Sequence, residues 1–334
     1  MVSVLIPAYN HERYVQDSIK SIIGQTYGNI ELLVINDGSS DTTWQKILDM
    51  EDECRKRFAR TVFWNQGNMG TGRTQNSLLD NALGDYIYLI ASDDIAMPQA
   101  IEKEEAFLAM NPEYALCVGD SIFIDGSGTQ CYWDNKCNAV YDKGKAEYIS
   151  WCDYLQRSRG FSFSSGKFGS YEELRKINHV PNGYLIRKEV FRDFRYSDKA
   201  PLEDWSLMLH IAKYHKMKYL GEILFKYRWH DKNAVKDTTR ILFMENATRL
   251  YEDDVLRQTD LTKMMPEVQE YVRKNLKGRL TAKGLCASAC KKLKLLACGG
   301  IFLATQLPVI DLIFPKRLAN MLLLKIFRLG NFRM

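Results

Sequence analysis

The first 125 residues alternate short runs of aliphatic and β-branched residues with segments of helical periodicity. The runs at 2–6, 30–35 and 86–90 are predicted strands, whereas 11–23 and 74–82 place apolar residues along one helix face. This βαβ alternation is typical of a mostly parallel sheet flanked by helices, and it excludes most other architectures. The sequence therefore predicts an α/β fold with a mostly parallel sheet.

Regular patterns fade between about Ser127 and Asn178, where Gly, Ser, Tyr and Trp are frequent. We expect a long loop there, with 160–166 as its most irregular piece, because long loops in compact domains are usually functional or mobile. Further along the chain the predicted elements are strands at 180–186 and 219–229, a helix at 202–214, and then a helical region.

Charge is distributed unevenly along the chain. Residues 271–334 hold thirteen Lys or Arg and one acid, Asp311, although the whole chain carries only +5. A basic block can face nucleic acid or an anionic membrane, and the apolar residues around it favour the membrane. Residues 295–314 include Gln306, Pro308 and Asp311, which disfavour a membrane span. We therefore expect a basic amphipathic segment at 291–334 that lies on the membrane surface; the alternative is a terminal helix pair packed on the domain.

Two further features concern the compartment. The apolar run at 2–6 is followed at once by Pro7, so it is too short for a signal peptide or a membrane span. The eight cysteines form no CxxC pair and have no histidines at zinc spacing. We expect reduced thiols in a cytosolic protein, with a pairing of Cys131 and Cys137 as the alternative.

Polar residues follow the first two predicted strands. The first strand leads into Pro7, Tyr9 and Asn10, and the second into Asp37 and Gly38. At the end of a strand, Asp37 can accept hydrogen bonds from a base or a ribose, while the turn offers backbone donors. The alternative is an ordinary turn and helix cap.

A glycine-rich segment, 65–76, lies between a predicted strand and a predicted helix. Backbone amides near Gly70 and the guanidinium of Arg73 suit a diphosphate. The segment has neither the GxxxxGK[ST] pattern of a P-loop nor GxGxxG, so neither an ATPase nor a dehydrogenase is favoured.

Acidic residues mark two more positions. Asp93 and Asp94 end a predicted strand, and adjacent carboxylates suit Mg²⁺ or Mn²⁺ holding a diphosphate; the alternative is a helix cap. Glu203 and Asp204, followed by Trp205, open a predicted helix. His230 follows the last predicted strand and is either a metal ligand, a phosphate donor or a structural residue.

In this order the motifs resemble the inverting family 2 glycosyltransferases with the GT-A fold, over about residues 1–235. The most specific part is Val-Ser-Val-Leu-Ile-Pro-Ala-Tyr-Asn followed by Ile-Asn-Asp-Gly-Ser-Ser-Asp. The resemblance implies that Asp37 contacts the base, that Asp94 with Asp93 anchors the metal, and that Asp204 is the general base. It places His230 near metal and diphosphate, completing a set of donor-side residues (Pro7, Tyr9, Asn10, Asp37, Gly38, Gly70, Arg73, Asp93) and acceptor-side residues (Glu203, Trp205).

Two positions depart from the family pattern. Ala91 replaces the leading acid of Asp-x-Asp-Asp, and Gln75-Asn76 replaces Arg-Asn before the third helix, with Arg73 two places earlier. The first departure leaves the metal on Asp93 and Asp94, and the second weakens the phosphate role of Arg73.

The resemblance implies a catalytic domain at 1–240, with a nucleotide-sugar half at 1–125 and an acceptor half at 126–240. A helical extension at 241–290 then leads to the basic segment. The implied reaction moves a hexose or N-acetylhexosamine from a UDP-sugar to a hydroxyl of a polyprenyl-diphosphate-linked saccharide, giving a β-glycoside. We expect a peripheral enzyme at the cytoplasmic face of the plasma membrane, in O-antigen, capsule or exopolysaccharide synthesis, that uses Mn²⁺ or Mg²⁺ and binds no nucleic acid. The alternatives are a non-catalytic nucleotide-sugar-binding membrane adaptor and a nucleotidyltransferase.

Overall fold

The computed structural model describes residues 1–276 except 232, 234 and 235. Residues Met1–Tyr271 form one compact unit, and a second unit begins at Val272. The predicted segment at 291–334 and the last part of the predicted helical extension lie outside the described residues.

The first half of the compact unit follows the predicted βαβ order. Its strands are β1 (Val2–Ala8), β2 (Ile30–Asp37), β3 (Arg60–Gln66), β4 (Tyr86–Leu89), β5 (Ile95–Ala96) and β6 (Tyr114–Asp125). Its helices are α1 (Val15–Ile23), α2 (Thr43–Leu48), α3 (Glu51–Arg57), α4 (Thr71–Asn81) and α5 (Ala100–Met110).

The second half adds strands to the same sheet and a layer of helices. The strands are β7 (Gln130–Trp133), β8 (Ala139–Val140), β9 (Tyr184–Arg187) and β10 (Lys216–Trp229). The helices are α6 (Trp151–Arg159), α7 (Tyr171–Leu174), α8 (Glu203–Tyr214) and α9 (Thr238–Gln258), and α10 (Pro266–Asn275) runs past the end of this unit at Tyr271.

One mixed sheet runs in the order β3-β2-β1-β4-β9-β6-β10-β5. The pairs β3–β2, β2–β1 and β1–β4 are parallel, and β9 lies antiparallel between β4 and β6. β2 is buried along its whole length, and its aliphatic side chains join those of β1 and α1 in the main core. The α/β prediction is therefore confirmed. Because β1, β2 and β4 run parallel, their carboxyl ends meet at one edge, where ligands bind in open α/β sheets.

The stretch at 127–178, predicted as a long loop, contains β7, β8, α6 and α7. α6 is capped at its start by Ser150, whose Oγ accepts from Asp153 N at 3.2 Å. It ends at Gly160, which adopts a left-handed φ of 69°. The loop prediction was wrong for this stretch because local capping and packing of aromatic side chains order it.

The predicted boundary at residue 240 falls inside α9. This helix packs on α8 through the buried residues Thr248 and Glu252, and its residues belong to the same compact unit as the sheet. In the described part of the chain, Cys54, Cys117, Cys131, Cys137 and Cys152 are free thiols. None of the described helices combines the length and the apolar character that a membrane crossing needs.

Candidate active site

The acidic turn after β4 separates its two carboxylates. Asp94 N donates to Ala91 O at 3.2 Å, which closes a tight turn. The carboxylate of Asp93 lies beside His230, with Nε2 and Oδ2 3.0 Å apart. The carboxylate of Asp94 instead accepts the backbone N–H of Arg228 at 2.8 Å. The sequence prediction gave Asp94 the leading metal role, but the turn directs Asp93 to the histidine and Asp94 to the backbone of β10.

Asp93 forms a cluster with two histidines. Asp93, His230 and His11 each offer one ligand atom, and these atoms lie within 4.8 Å of one another. His11 follows β1; its Nδ1 lies 2.8 Å from Ser92 Oγ, and its Nε2 lies 3.8 Å from Asp93 Oδ2. Two imidazole nitrogens and one carboxylate oxygen are a donor set that suits a divalent transition metal. The residues therefore fit the metal that the fold implies.

The two adjacent carboxylates have opposite electrostatic environments. Burial alone would raise the pKa of Asp93, but the hydrogen bond from His230 and the charges of His11 and His230 hold it below its ordinary value. Burial, followed by the charge of Asp93, raises the pKa of Asp94 well above its ordinary value. Asp93 is thus kept ionised and suited to a cation.

Arg228 fixes the acidic turn to the rest of the sheet edge. Its fully buried guanidinium donates from Nε to Asp93 O at 2.6 Å and from Nη2 to Asp17 Oδ2 at 3.0 Å. It also lies 4.9 Å from the ring centroid of Tyr14, whose ring is 4.8 Å from that of His230. β10, the turn and α1 are therefore held together by one side chain.

Asp37 organises the glycine-rich segment. Its carboxylate accepts from Gln66 Nε2 at 2.8 Å, Met69 N at 2.9 Å and Gly70 N at 3.0 Å. Gly38 has a φ of 70°, and a Cβ there would lie 2.5 Å from a backbone nitrogen of this segment, so no other residue fits without displacing it. The two predicted donor-side segments are thus in direct contact.

The other donor-side residues have separate environments. Tyr9 is 48% exposed, and Asn10 adopts a φ of 52° while its Oδ1 accepts from Ser40 N at 2.8 Å. Pro7 lies within β1, opposite Ile35 of β2. Arg73, predicted beside a diphosphate, forms an exposed ion pair with Asp198 at 2.6 Å. The structure therefore engages Arg73 with the segment that precedes α8.

Asp204 lies in the first turn of α8. Its Oδ1 accepts from Trp205 N at 2.7 Å, and its Oδ2 accepts from Asn178 Nδ2 at 2.9 Å. Burial raises the pKa of Asp204. Burial and the charge of Asp204 raise the pKa of Glu203 to about 7. Trp205 is buried, with its indole N–H donating to Leu174 O at 2.7 Å. The α8 start therefore presents a carboxylate with the raised proton affinity of a general base.

Tyr227 is a phenol of β10 that responds to the charges of both acidic positions. Burial raises the pKa of this phenol well above its ordinary value, and the charges of Asp94, Asp93 and Asp204 raise it further. Because charge interactions weaken with distance, the acidic turn and the start of α8 both lie within electrostatic range of this phenol.

Sequence reasoning missed four residues of this site: His11, Asn178, Tyr227 and Arg228. His11 directly follows the strand-end motif at 7–10, and this position is the one sequence feature that could have identified it as a site residue. Arg228 and Tyr227 lie in the same strand end as His230, and their proximity to His230 was visible in the sequence. Asn178 gave no signal, because it meets Asp204 only through the packing of α7 on α8.

Comparison with known proteins identifies the family. The sequence profile described as glycosyl transferase family 2 matches residues 3–174. A protein of Haemophilus influenzae called an uncharacterized glycosyltransferase is 30% identical over 69% of this chain and 66% of its own length, so the chain spans about two thirds of that relative. One of Methanocaldococcus jannaschii is 31% identical over 68% of this chain and 70% of its own length.

A solved structure has the same fold. The mannosyltransferase PcManGT from Pyrobaculum calidifontis, in complex with GDP-Man and Mn²⁺, matches with a TM-score of 0.56 and 13% identity, over 97% of this chain and 86% of that one. At this identity the match concerns the fold alone, which is GT-A. With the profile covering more than half of its length, the chain belongs to glycosyl transferase family 2.

Proposed function

We propose that this protein is a metal-dependent inverting glycosyltransferase that moves a sugar from a nucleotide-sugar to an acceptor hydroxyl. The observation that carries the proposal is the presence of two acidic centres, one in the turn after β4 and one in the first turn of α8. One centre, His11–Asp93–His230, suits a divalent cation, and the other, Asp204, has the raised pKa of a proton acceptor. Leaving-group stabilisation and acceptor deprotonation are the two demands of this reaction.

The donor binds on the side of β1 and β2. Tyr9 offers an exposed ring for a base to stack on, and Asp37 holds the backbone of the glycine-rich segment. We favour a UDP-sugar as donor. The related fold that binds GDP-Man with Mn²⁺ supports a nucleotide-sugar and a metal, without deciding the base.

The metal would be held by His11, Asp93 and His230. When bound, it supplies positive charge that stabilises the diphosphate leaving group. Nitrogen donors suit Mn²⁺ better than Mg²⁺, which prefers oxygen and retains water. Within the protein, Arg228 holds the turn that carries Asp93, and His230 keeps its carboxylate ionised.

Asp204 takes the proton from the acceptor hydroxyl as that oxygen attacks the anomeric carbon. The bond to the nucleoside diphosphate breaks on the opposite face, so an α-linked donor gives a β-glycoside. Asn178 and Trp205 N hold the carboxylate in place, while Glu203 and Trp205 lie on the acceptor side. The hydroxyl becomes acidic only as the new bond forms, so a carboxylate is a sufficient base.

The acceptor in this proposal is a polyprenyl-diphosphate-linked saccharide at the cytoplasmic face of the plasma membrane, in surface-polysaccharide synthesis. Its support is the basic and apolar composition of residues 291–334, which suits an anionic membrane surface. A peripheral enzyme at this membrane would be confined to the same surface as its lipid-linked acceptor, so the two would meet by diffusion along the membrane.

The test incubates the full chain with Mn²⁺, a panel of nucleotide-sugars and a lipid-diphosphate-saccharide acceptor, and follows product mass. We expect transfer from one donor, loss of transfer with EDTA, and recovery with excess Mn²⁺. Anomeric assignment of the product by NMR checks inversion. Nucleotide binding with no transfer from any donor would refute the enzymatic activity and favour a nucleotide-sugar-binding adaptor.

A further inference from the structure

Helix α9 forms hydrogen bonds with the two segments that hold Asp204, the start of α8 and the segment before Asn178. The start of α8 lacks a side-chain cap of its own, and the backbone N–H of Leu202 instead donates to Thr248 Oγ1 of α9 at 3.2 Å. Thr248 is fully buried. An uncapped helix start depends on outside acceptors for its free N–H groups, so α9 fixes where α8 begins.

The next residue of α9 reaches the other side of Asp204. The guanidinium of Arg249 lies 4.5 Å from the ring centroid of Trp205, next to the proposed base. Its nitrogens donate to Arg175 O and, at 2.6 Å, to Lys176 O. These two residues lie just before Asn178 in the chain. A planar guanidinium fork can hold two carbonyls and stack on a ring at once, which a lysine cannot.

One turn further along, α9 is anchored by buried charges. Glu252 accepts two hydrogen bonds of 3.0 Å from Lys213 Nζ of α8 and one of 2.7 Å from Tyr171 of α7. Asp253 pairs with Arg175 at 2.6 Å. These contacts keep α9 in one register against both α7 and α8. The anchor makes Thr248 and Arg249 rigid, which a positioning role requires.

We propose that Thr248 and Arg249 are positioning residues for Asp204, so that α9 sets the geometry of acceptor deprotonation. Both act through groups that touch the carboxylate: Thr248 through the first turn of α8, and Arg249 through Trp205 and the Asn178 segment. The inference rests on the proposed role of Asp204 as the base. Neither residue touches the donor side, so donor binding is independent of them.

The decisive comparison uses two substitutions of Thr248. Thr248→Val keeps the shape but removes the acceptor for Leu202 N, whereas Thr248→Ser keeps the acceptor but removes a buried methyl group. Misplacing a catalytic group by a fraction of an ångström costs about tenfold or more in rate. We expect Thr248→Val to lower kcat about tenfold with the donor KM within twofold, and Thr248→Ser to stay near the wild-type kcat.

Arg249 has a matched control on the same helix. Arg249→Met should lower kcat about tenfold, Arg249→Lys should recover only part of it, and Arg240→Met, at an exposed position, should leave kcat unchanged. Melting temperatures are measured in parallel. If kcat followed melting temperature in all variants, or if Thr248→Val kept the wild-type kcat, the positioning role would be wrong.

A second readout needs no substrate. The carboxyl of Asp204 is titrated by ¹³C NMR with labelled aspartate and assigned by its absence in Asp204→Asn. The titratable groups coupled electrostatically to it are Glu203 on α8 and the uncharged phenols of Tyr184, Tyr196 and Tyr227. All of these are retained in the variants. Hydrogen bonds to the charged form of a carboxyl group lower its pKa. If the first turn of α8 loosens in Thr248→Val, the bond from Trp205 N weakens, and the pKa of Asp204 should rise by about one unit.

The role of Asp204 as the base and the positioning role of α9 can be refuted separately. Wild-type kcat in Asp204→Asn would refute the base and, with it, this inference. An inactive Asp204→Asn beside a Thr248→Val enzyme with unchanged kcat and unchanged Asp204 titration would overturn the inference and leave the proposed function intact.

Discussion

Replacing Asp204 by asparagine separates chemistry from binding and from stability. Asparagine keeps the shape and the Oδ1 acceptor for Trp205 N, but it cannot take a proton. General-base catalysis contributes about 10²–10⁴-fold, so kcat should fall by that factor, equal to about 3–5 kcal/mol of activation free energy. The donor KM and the dissociation constant for the nucleotide should stay within twofold, because no donor-side contact changes.

The same change should not destabilise the fold at alkaline pH. The folded-state pKa of Asp204 is raised by burial, so its contribution to stability is fully present below its ordinary pKa and is lost as pH rises through the raised value. Asparagine does not titrate. Its new amide meets the Asn178 donor, at a cost of about 1 kcal/mol. The stability of Asp204→Asn relative to wild type should therefore improve from pH 4 to pH 8.

The assays are steady-state kinetics, nucleotide calorimetry and urea unfolding at both pH values, with the exposed Asp193→Asn as control. A kcat within threefold of wild type would refute the base assignment. A large loss of nucleotide affinity would place Asp204 on the donor side instead. A relative stability that falls with rising pH would contradict the burial argument.

Three further predictions concern the metal cluster and two buried carboxyl groups. His11→Ala should weaken Mn²⁺ binding by about tenfold or more in calorimetry, since it removes one nitrogen donor, and an unchanged affinity would exclude His11 from the site. The free energy of unfolding of Glu203→Gln relative to wild type should rise by on the order of 3 kcal/mol from pH 4 to pH 8. The reason is that Glu203, with a pKa of about 7, destabilises the folded wild type as it ionises. A difference between the two proteins that does not change with pH in urea unfolding would contradict this. Glu252→Gln leaves the Lys213 ammonium buried without its carboxylate, which should cost about 3–5 kcal/mol and lower the melting temperature by about 10 °C. Adding Lys213→Met should recover most of that loss in calorimetric melting, and no recovery would show that the pair is not the cause.

The sequence predicted the elements whose signals are local. The strand at 30–35 appears as Ile30–Asp37, the helix at 202–214 as Glu203–Tyr214, and the strand at 219–229 as the end of a longer Lys216–Trp229. Each has a periodic apolar pattern long enough to decide between strand and helix. α6 was missed although Ser150 and Gly160 are ordinary cap residues, because aromatic and polar side chains mask its apolar face.

The sheet order and half of the site could not be predicted because they depend on non-local pairing. β9 inserts antiparallel between β4 and β6, and nothing in its four residues specifies those neighbours. Asn178 reaches Asp204 only through the packing of α7 on α8, which is a contact between separate elements. His11 reaches Asp93 because β1 and β4 are adjacent, a contact that the parallel-sheet prediction made available without naming the residue.

The divergence of Asp93 and Asp94 explains how the site tolerates Ala91. Both acids follow β4, but the turn closed on Ala91 gives one to the histidines and the other to the backbone N–H of Arg228. A carboxylate at position 91 would add negative charge beside two buried acids, one of which already has a raised pKa. His11 brings a donor to the cluster without that charge. In the proposed metal site, the nitrogen of His11 after β1 would thus take the place of an oxygen at position 91, while the carboxylate of Asp94 accepts the backbone N–H of Arg228 in β10.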